Sequence, residues 1–468
     1  MRISSGIRLY PLMIYILSLL AVMAVTVSSD MFVFCGAISL ILFVMFCWYL
    51  YKHKQYFFFL LMPFIFPHFT AIISNLSLET GAYIEELQVM SYATGGTTRL
   101  VFYILSFFMV AMMTFNFFNK YRISRYCFTI HGDYSRLEKQ IIILLSVLIF
   151  SVLALNAVLW GSPLLQGVQR FDYWASHPHP GVRNFLYQGY LLSFVLGVYI
   201  SKLKLNDSKD TSAYIYIIFV FCFFNVLYGE KFTGVFLTLL YFFIGLFGAL
   251  VVYKKINIIN SRTIIFIFVF SVLLYGLIYY QYKYIHQLPG SIFSFIESRI
   301  LNLQGEVWWA IDGGGSTESG LSYLYAYSDN CKITGGLYSL MYQIAPSSLV
   351  DSYCERGITF TMGYPAILIS SVGYISGYIF NILFGFLVGI TLFLIKKSIE
   401  HANIISLFLS AKVLLIETHA LNMGNIYNII DFKFLIYFLL LLFFSELRLK
   451  NAKINSPIST TVSSGKTE

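Results

Sequence analysis

The sequence is short of charged residues. Asp, Glu, Lys and Arg make up only 11% of its 468 residues, against roughly 25% in an ordinary soluble domain. Hydrophobic residues make up 58% and aromatic residues 19%. The sequence also lacks a P-loop. These absences exclude a water-soluble globular protein and argue against chemistry driven by ATP bound to this chain.

Long apolar runs are present instead. Each is about 18 to 22 residues, enough for a helix to cross a hydrocarbon layer about 30 Å thick. We therefore predict an all-α, polytopic integral membrane protein with about twelve transmembrane helices, the first of them retained rather than cleaved as a signal peptide. The predicted spans are 9–27, 31–51, 56–73, 100–118, 140–160, 186–201, 213–228, 233–253, 263–282, 371–395, 403–421 and 429–446.

The net charge is +9, and the distribution of the basic residues along the chain indicates its orientation in the membrane. Lys and Arg are scattered over many short loops and form no single basic face, so we expect no nucleic-acid partner. With the N-terminus inside, 21 of the 31 basic residues fall on the inner side, and the positive-inside rule then places both termini in the cytoplasm. The outer side carries the tight turn 229–234 and the loops 74–99, 161–185 and 283–361.

The chain is predicted to form one membrane domain, residues 1–447, followed by a disordered Ser/Thr-rich cytoplasmic tail, residues 448–468. Of the six cysteines, only Cys331 and Cys354 share the large outer loop. In an oxidising compartment such as a bacterial periplasm they can form a disulfide, which in the chain-entropy model contributes about 3 kcal/mol.

The large outer loop contains a helical pattern, with Ile and Leu at a spacing of three and four from Ile292 to Ile311. Arg299, Asn302 and Glu306 form a second line along the same predicted helix. Trp308 and Trp309 suit the membrane interface, and Gly313-Gly314-Gly315 would end the helix as a hinge. The polar line faces either an enclosed cleft or solvent, and spacing alone does not distinguish the two.

The loop 161–185 combines arginines, aromatic residues and histidines. Paired hydrogen bonds from guanidinium suit phosphate oxygens, while aromatic faces can stack on sugars. The two histidines are candidate bases; with no third ligand nearby, a metal site is not expected. An ordinary ordered loop is the alternative. These residues are Arg170, Tyr173, Trp174, His177, His179 and Arg183.

Further candidates lie close to or inside predicted spans. Lys231, in the turn flanked by glycines, is either a phosphate contact or an anchor at the membrane surface. Lys412, Glu417 and Asp431 lie in or beside the last two spans, with His419 near the outer end. Intramembrane charges usually face a cavity or each other, so a site and a structural Lys–carboxylate pair are both open.

In these features the chain resembles the bacterial O-antigen polymerases of the Wzy type. The resemblance rests on about twelve helices, large outer loops after the fifth and ninth spans, and the segments 170–183, 229–234 and 299–312. Some members carry an Arg-x10-Gly pattern in two outer loops. Arg170 to Gly181 fits it, but Ala310 stands where Arg299 would need glycine.

The resemblance implies a periplasmic-side glycosyltransferase in the bacterial inner membrane. It would join polyprenyl-pyrophosphate-linked oligosaccharide repeat units into O-polysaccharide, among membrane lipids and with a chain-length regulator or other export components as partners. It implies no nucleotide sugar, metal or other cofactor. We expect the catalytic residues among Arg170, Arg299, Glu306, His177, His179 and His419, and substrate contacts from Arg183, Lys231, Tyr173, Trp174, Trp308 and Trp309.

Three other functions are open. An O-antigen ligase shares the architecture and the donor but transfers to lipid A core. A lipid-linked oligosaccharide flippase moves its cargo without chemistry and has little use for a long outer loop. A proton-coupled transporter would depend on the charges near the last two spans.

Overall fold

The computed structural model describes residues 9–26, 28–121, 128–132, 134–205, 211–252, 301–314, 320–325, 336–401 and 403–451, with isolated positions between 253 and 300. Over these residues the chain is mostly helical, with four short strands. The predicted span 263–282 lies almost wholly outside the described residues, as do Cys331 and Gly315.

Helices occupy the described positions of the first eight predicted spans, with short elements between them. The elements are α1 (Leu9–Thr26), α2 (Phe32–His53), α3 (Gln55–Glu79), β1 (Tyr83–Ile84), β2 (Val89–Met90), α4 (Gly96–Tyr121), β3 (Phe128–Gly132), α5 (Tyr134–Trp160), α6 (Pro163–Gln166), α7 (Arg170–Ser176), α8 (Arg183–Leu205), α9 (Thr211–Leu227) and α10 (Lys231–Val252).

The second half contains four short helices before the last long ones. They are α11 (Glu306–Gly314), α12 (Ser322–Tyr325), α13 (Gly336–Ile344), α14 (Ser347–Glu355), α15 (Ala366–His401), α16 (Ile404–Met423), α17 (Tyr427–Ile430), α18 (Phe432–Ser445) and the strand β4 (Leu447–Asn451). Strands β1 and β2 form an antiparallel hairpin, and β3 pairs with β4 in parallel.

The architecture is that of an all-α membrane protein. Among the described residues, seven helical segments are long and apolar enough to cross a membrane by length and composition, and three shorter helices are also apolar. Large apolar side chains such as Trp48, Val158 and Ile375 are more than half exposed. In water such a surface would be costly, whereas lipid solvates it. The seven segments are Ser29–His53, Gln55–Glu79, Gly96–Lys120, Arg136–Gln166, Thr233–Val252, Ala366–His401 and Ile404–Met423.

Packing partners show which helix ends lie together. On α3 and α10, the ring of Phe59 lies 5.1 Å from that of Phe247 and the ring of Phe66 lies 5.8 Å from that of Phe236, so the two helices are antiparallel. The end of α3 and the start of α10 therefore share one end of the bundle. Helix α8 runs parallel to α10. Near the start of α8, the Tyr190 hydroxyl donates to Asn225 of α9, which also lies against Gly234 at the start of α10. Near the end of α8, Ser201 donates to the carbonyl oxygen of Leu246 late in α10.

We call the end of the bundle that contains the end of α3 and the start of α10 the site end. Lysines lie at the opposite end. Lys202 at the end of α8 pairs with Glu138 near the start of α5 at 2.8 Å, and Lys397 late in α15 pairs with Glu446. Lys396 donates to Asn119 at the end of α4.

Small residues allow the central helices to approach closely. A Cβ on Gly197 of α8 would lie 2.2 Å from the carbonyl oxygen of Phe242, and one on Gly245 of α10 would lie 2.2 Å from that of Phe194. Gly385 and Gly389, four residues apart on α15, likewise face carbonyl oxygens of α4 at 2.8 and 2.6 Å. Such small-residue contacts are a usual basis of helix association in membranes.

At three places the observed elements begin or end at residues other than the predicted bounds. Helix α3 continues to Glu79 and α4 begins at Gly96, so the predicted loop 74–99 is shorter because its polar ends are helical. The predicted disordered tail begins with a strand, Leu447–Asn451, paired with β3. Helix α15 begins before residue 371, and it is interrupted at Gly373, whose φ of 76° and ψ of 174° suit only glycine.

Candidate functional site

Two arginines converge on one carboxylate at the site end. Arg170, the first residue of α7, places Nη1 2.5 Å from Oε2 of Glu230. Arg183, the first residue of α8, reaches Oε1 of Glu230 with Nη2 at 3.2 Å. The Glu230 side chain is 8% exposed, whereas those of Arg170 and Arg183 are 23% and 31% exposed. This Glu230 cluster (Arg170, Arg183 and Glu230) therefore has a surplus positive charge that reaches the surface.

The turn between α9 and α10 holds Glu230 in place. Gly229 has φ of +69°, and a Cβ there would lie 3.1 Å from the Cβ of Arg170. A Cβ on Gly234 would lie 2.5 Å from Oδ1 of Asn225. These glycines therefore bring the turn against α7 and α9. Lys231 begins α10, and its side chain lies outside the described residues.

Tyr173 and Trp174 follow Arg170 on α7 and pack against Tyr228, close in sequence to Glu230. Both are buried, at 5% and 6% exposure. The Tyr173 hydroxyl donates to the carbonyl oxygen of Gly161 at 2.9 Å, and the Trp174 ring stacks on Tyr228 at 5.6 Å. Both rings pack against other parts of the chain, and their role as substrate contacts stays a prediction.

The two histidines lie in different environments. His177 is 7% exposed, and its Nδ1 accepts the backbone N–H of His179 at 2.9 Å. Burial lowers the pKa of His177. Because Nδ1 is an acceptor, the neutral ring carries its proton on Nε2, which is buried and has no hydrogen-bond partner in the part of the chain that the structure describes. His179 is exposed beside Trp160.

A second group of polar residues surrounds the start of α11. The predicted continuous helix through Arg299 and Glu306 is wrong, since residues 302–305 form turns before α11 begins. Gly305 explains the break. Its N–H donates to Oγ of Ser74 at 2.7 Å, and a Cβ there would lie 2.4 Å from the backbone nitrogen of Asn75. The chain leaves helical geometry to pack directly on α3.

Glu306 is the first residue of α11 and is 1% exposed. Burial raises its pKa well above the ordinary carboxyl value, and the nearby charge of Glu86 raises it further, while Arg299 acts in the opposite direction. Glu86 lies in the turn of the β1–β2 hairpin and accepts a hydrogen bond from the Tyr353 hydroxyl at 3.0 Å. Glu86, Arg299, Glu306 and Tyr353 form the Glu306 cluster.

Sequence reasoning missed Glu86 and Glu230. Each lies in a segment predicted to be polar and outward-facing, but an acidic residue in a short turn has no spacing that distinguishes it from a solvent-exposed one. Arg299 is exposed, whereas Glu306 is buried. Asn302 lies half-buried near Ser77.

Trp308 and Trp309 anchor α11. Their indole N–H groups donate to the carbonyl oxygens of Gly96 at 2.8 Å and Tyr92 at 2.9 Å, and the side chains are 2% and 5% exposed. Both indoles are enclosed by the chain, and their role as substrate contacts stays a prediction. Gly313 and Gly314 are the last residues of α11, and the sequence predicted that the helix ends at these glycines.

The charged residues near the last spans have separate partners. Glu417 is buried and accepts from Thr391 at 2.6 Å, whereas the Lys412 ammonium lies 5.7 Å from the ring centre of Tyr437. Of the two alternatives, the Lys–carboxylate pair is therefore not formed by Lys412 and Glu417. Asp431 accepts the backbone N–H of Lys433 at the start of α18. His419 is on an exposed face of α16, with Nδ1 3.3 Å from the amide nitrogen of Asn428.

Cys354 is disulfide-bonded, and its partner lies outside the described residues. Cys35, Cys47 and Cys222 are free. Within the described ranges, no three His, Cys, Asp or Glu side chains are grouped so that they could hold a metal ion.

A family model described as a family of unknown function, DUF6418, matches residues 332–438. The matched segment includes Tyr353 and helices α15 and α16, and it excludes the Glu230 cluster and Glu306. Neither the curated proteins nor the solved structures provide a match to this chain.

Proposed function

We propose that this protein is a glycosyltransferase of the O-antigen polymerase type, which joins polyprenyl-pyrophosphate-linked oligosaccharides. The observation that carries the proposal is the convergence of Arg170 and Arg183 at the site end. Two fixed guanidinium groups, each partly exposed, offer the forked donors that a pyrophosphate needs. Glu230 aligns both groups and leaves the surplus positive charge for the ligand.

The chemistry places specific demands on the site. A sugar hydroxyl of the acceptor attacks the anomeric carbon of the donor, the bond from that carbon to the pyrophosphate oxygen breaks, and the electron pair leaves with the pyrophosphate. Fixed cations stabilise the negative charge that develops there. The hydroxyl proton must pass to a base, and the Glu306 cluster combines carboxyl groups with the cation of Arg299.

We also propose a cellular location for the protein and its orientation in the membrane. The chain would lie in a bacterial inner membrane with about twelve spans, both termini in the cytoplasm and the site end in the periplasm. Pairing of Lys202, Lys396 and Lys397 at the opposite end is in keeping with the positive-inside rule. A chain-length regulator and other export components would be its partners.

The test uses a strain that lacks the gene. A lipopolysaccharide core capped by single repeat units supports a polymerase. Lipid-linked polymer that is not attached to the core identifies a ligase, and loss of all surface glycan identifies a flippase; either outcome overturns the proposal.

Complementation then tests the residues. Arg170→Ala, Arg183→Ala and Arg299→Ala should insert into the membrane normally and yield only single-unit caps. Lys204→Ala, near the end of α8 at the lysine end, is the matched control and should restore the ladder of chain lengths. A normal ladder from Arg170→Ala and Arg183→Ala together would remove the Glu230 cluster from the site.

A further inference from the structure

Glu86 and Glu306 are placed at different depths. Glu86 is half-buried in the four-residue turn that joins β1 to β2, whereas Glu306 is 1% exposed at the start of α11. The hairpin is held firmly, because Ile84 and Leu87 are buried on either side of Glu86 and the backbone N–H of Gln88 donates to the carbonyl oxygen of Ile84 at 2.8 Å. The outer carboxyl group is therefore presented from a fixed turn.

The two carboxyl groups cannot both be ionised at low cost. An ionised carboxylate only accepts hydrogen bonds, so two adjacent carboxylates repel unless one carries a proton. Among the described residues, the carboxyl oxygens of Glu306 lie beside the carboxyl group of Glu86 and have no other hydrogen-bond partner. A buried anion without donors is strongly disfavoured. The proton therefore belongs on Glu306, and Glu86 is left as the carboxylate.

The groups around Glu86 and Glu306 support the assignment of the proton to Glu306. The Tyr353 hydroxyl of α14 donates to Oε1 of Glu86 at 3.0 Å, and such a donor favours the carboxylate form of Glu86. Arg299, which is exposed, acts electrostatically on both Glu306 and Tyr353. A carboxylate, a neutral acid and a cation thus meet where the chain reaches the surface.

We infer that Glu86 is the catalytic base of the site, and that Glu306 is a positioning residue which stays protonated behind it. This inference rests on the proposed function. As the acceptor oxygen bonds to the anomeric carbon and the pyrophosphate leaves with the electron pair, the hydroxyl proton moves to the Glu86 carboxylate and then to water. Tyr353 orients that carboxylate.

Paired substitutions test the assignment. Glu86→Gln removes the base and should lower the polymerisation rate by about 10²- to 10⁴-fold. Glu306→Gln, a neutral mimic of a protonated carboxyl group, should lower it by less than about tenfold. Glu85→Gln, at the adjacent exposed position, is the matched control and should retain the wild-type rate. The reverse order, with Glu306→Gln inactive and Glu86→Gln active, would make Glu306 the base and overturn the inference.

An infrared measurement separates this inference from the proposed function. The purified protein in lipid nanodiscs at neutral pH should show protonated-carboxyl absorption that loses intensity in Glu306→Gln and keeps its intensity in Glu86→Gln. If the wild type makes no polymer, the proposed function fails, and with it the role of Glu86 as base. The spectra would still decide which carboxyl group holds the proton. Protonated-carboxyl absorption that is unchanged in Glu306→Gln would contradict the assignment of the proton to Glu306.

Discussion

Arg99 holds Asp312 through two parallel hydrogen bonds, with Nε 2.7 Å from Oδ1 and Nη2 2.5 Å from Oδ2. The pair joins the start of α4 to the short helix α11, and the Tyr374 hydroxyl of α15 also donates to Oδ1 of Asp312 at 3.0 Å. One carboxylate thus fixes α11 to two long helices. Glu306 begins the same helix, so this contact also positions the Glu306 cluster.

Breaking this pair should destabilise the protein. Asp312→Asn removes the charge of a fully buried carboxylate and leaves Arg99 without its partner, so we expect the free energy of unfolding to fall by up to about 3 kcal/mol. Thermal unfolding in detergent would measure the loss. Asp351→Asn, which loses only an exposed contact with Tyr342, is the control and should have little effect. Equal stability of the two variants would show that the pair does not hold α11.

The close approach at Gly305 gives a second stability test. Gly305→Ala would force a methyl group to within 2.4 Å of the Asn75 backbone, and overpacking of this kind costs about 1–3 kcal/mol. Gly314→Ala is the matched control, because a Cβ there meets open space. Both variants should be purified and compared by thermal unfolding. A Gly305→Ala protein as stable as Gly314→Ala would contradict the described contact.

Features that depend on local sequence patterns could be predicted, whereas contacts between residues distant in the sequence could not. The long helices follow from the length of apolar runs, and Arg170 and Arg183 were recognised because a cluster of arginines and aromatics is unusual in a connector. Glu86 and Glu230 were missed because each pairs with a residue distant in the sequence, Glu306 and Arg170 respectively. The burial of Trp308 depends on the carbonyl oxygen of Gly96, more than two hundred residues earlier, and no local pattern reports that contact.

Stability should depend on pH through Glu306. Its pKa is raised in the fold, so above about pH 4.3, the ordinary carboxyl value, the folded state binds more protons than the unfolded state. The free energy of unfolding therefore falls as pH rises from about 4.3 toward the raised pKa. Glu306→Gln should show a shallower fall than the wild type, measured by chemical unfolding between about pH 5 and 8. Parallel curves for Glu306→Gln and wild type would contradict the raised pKa.

The disulfide at Cys354 should stabilise the loop before α15. Cys354→Ser should lower the free energy of unfolding by about 2–4 kcal/mol under oxidising conditions, and reduction of the wild type should have the same effect. Cys222→Ser, which replaces a free cysteine, should not respond to reduction. Alkylation before and after reduction would identify the partner, predicted from the sequence as Cys331. Two free thiols at these positions in protein from an oxidising compartment would rule out that pairing.

Reconstitution tests the central claim most directly. The purified protein would be placed in lipid vesicles with lipid-linked single repeat units extracted from the strain that lacks the gene, and glycan chain length and released polyprenyl pyrophosphate would be measured together. The account predicts longer lipid-linked chains, one pyrophosphate carrier released for each bond formed, and neither product from a variant with Arg170→Ala and Arg183→Ala. Transfer of the repeat units across the vesicle membrane without chain growth or carrier release would contradict it.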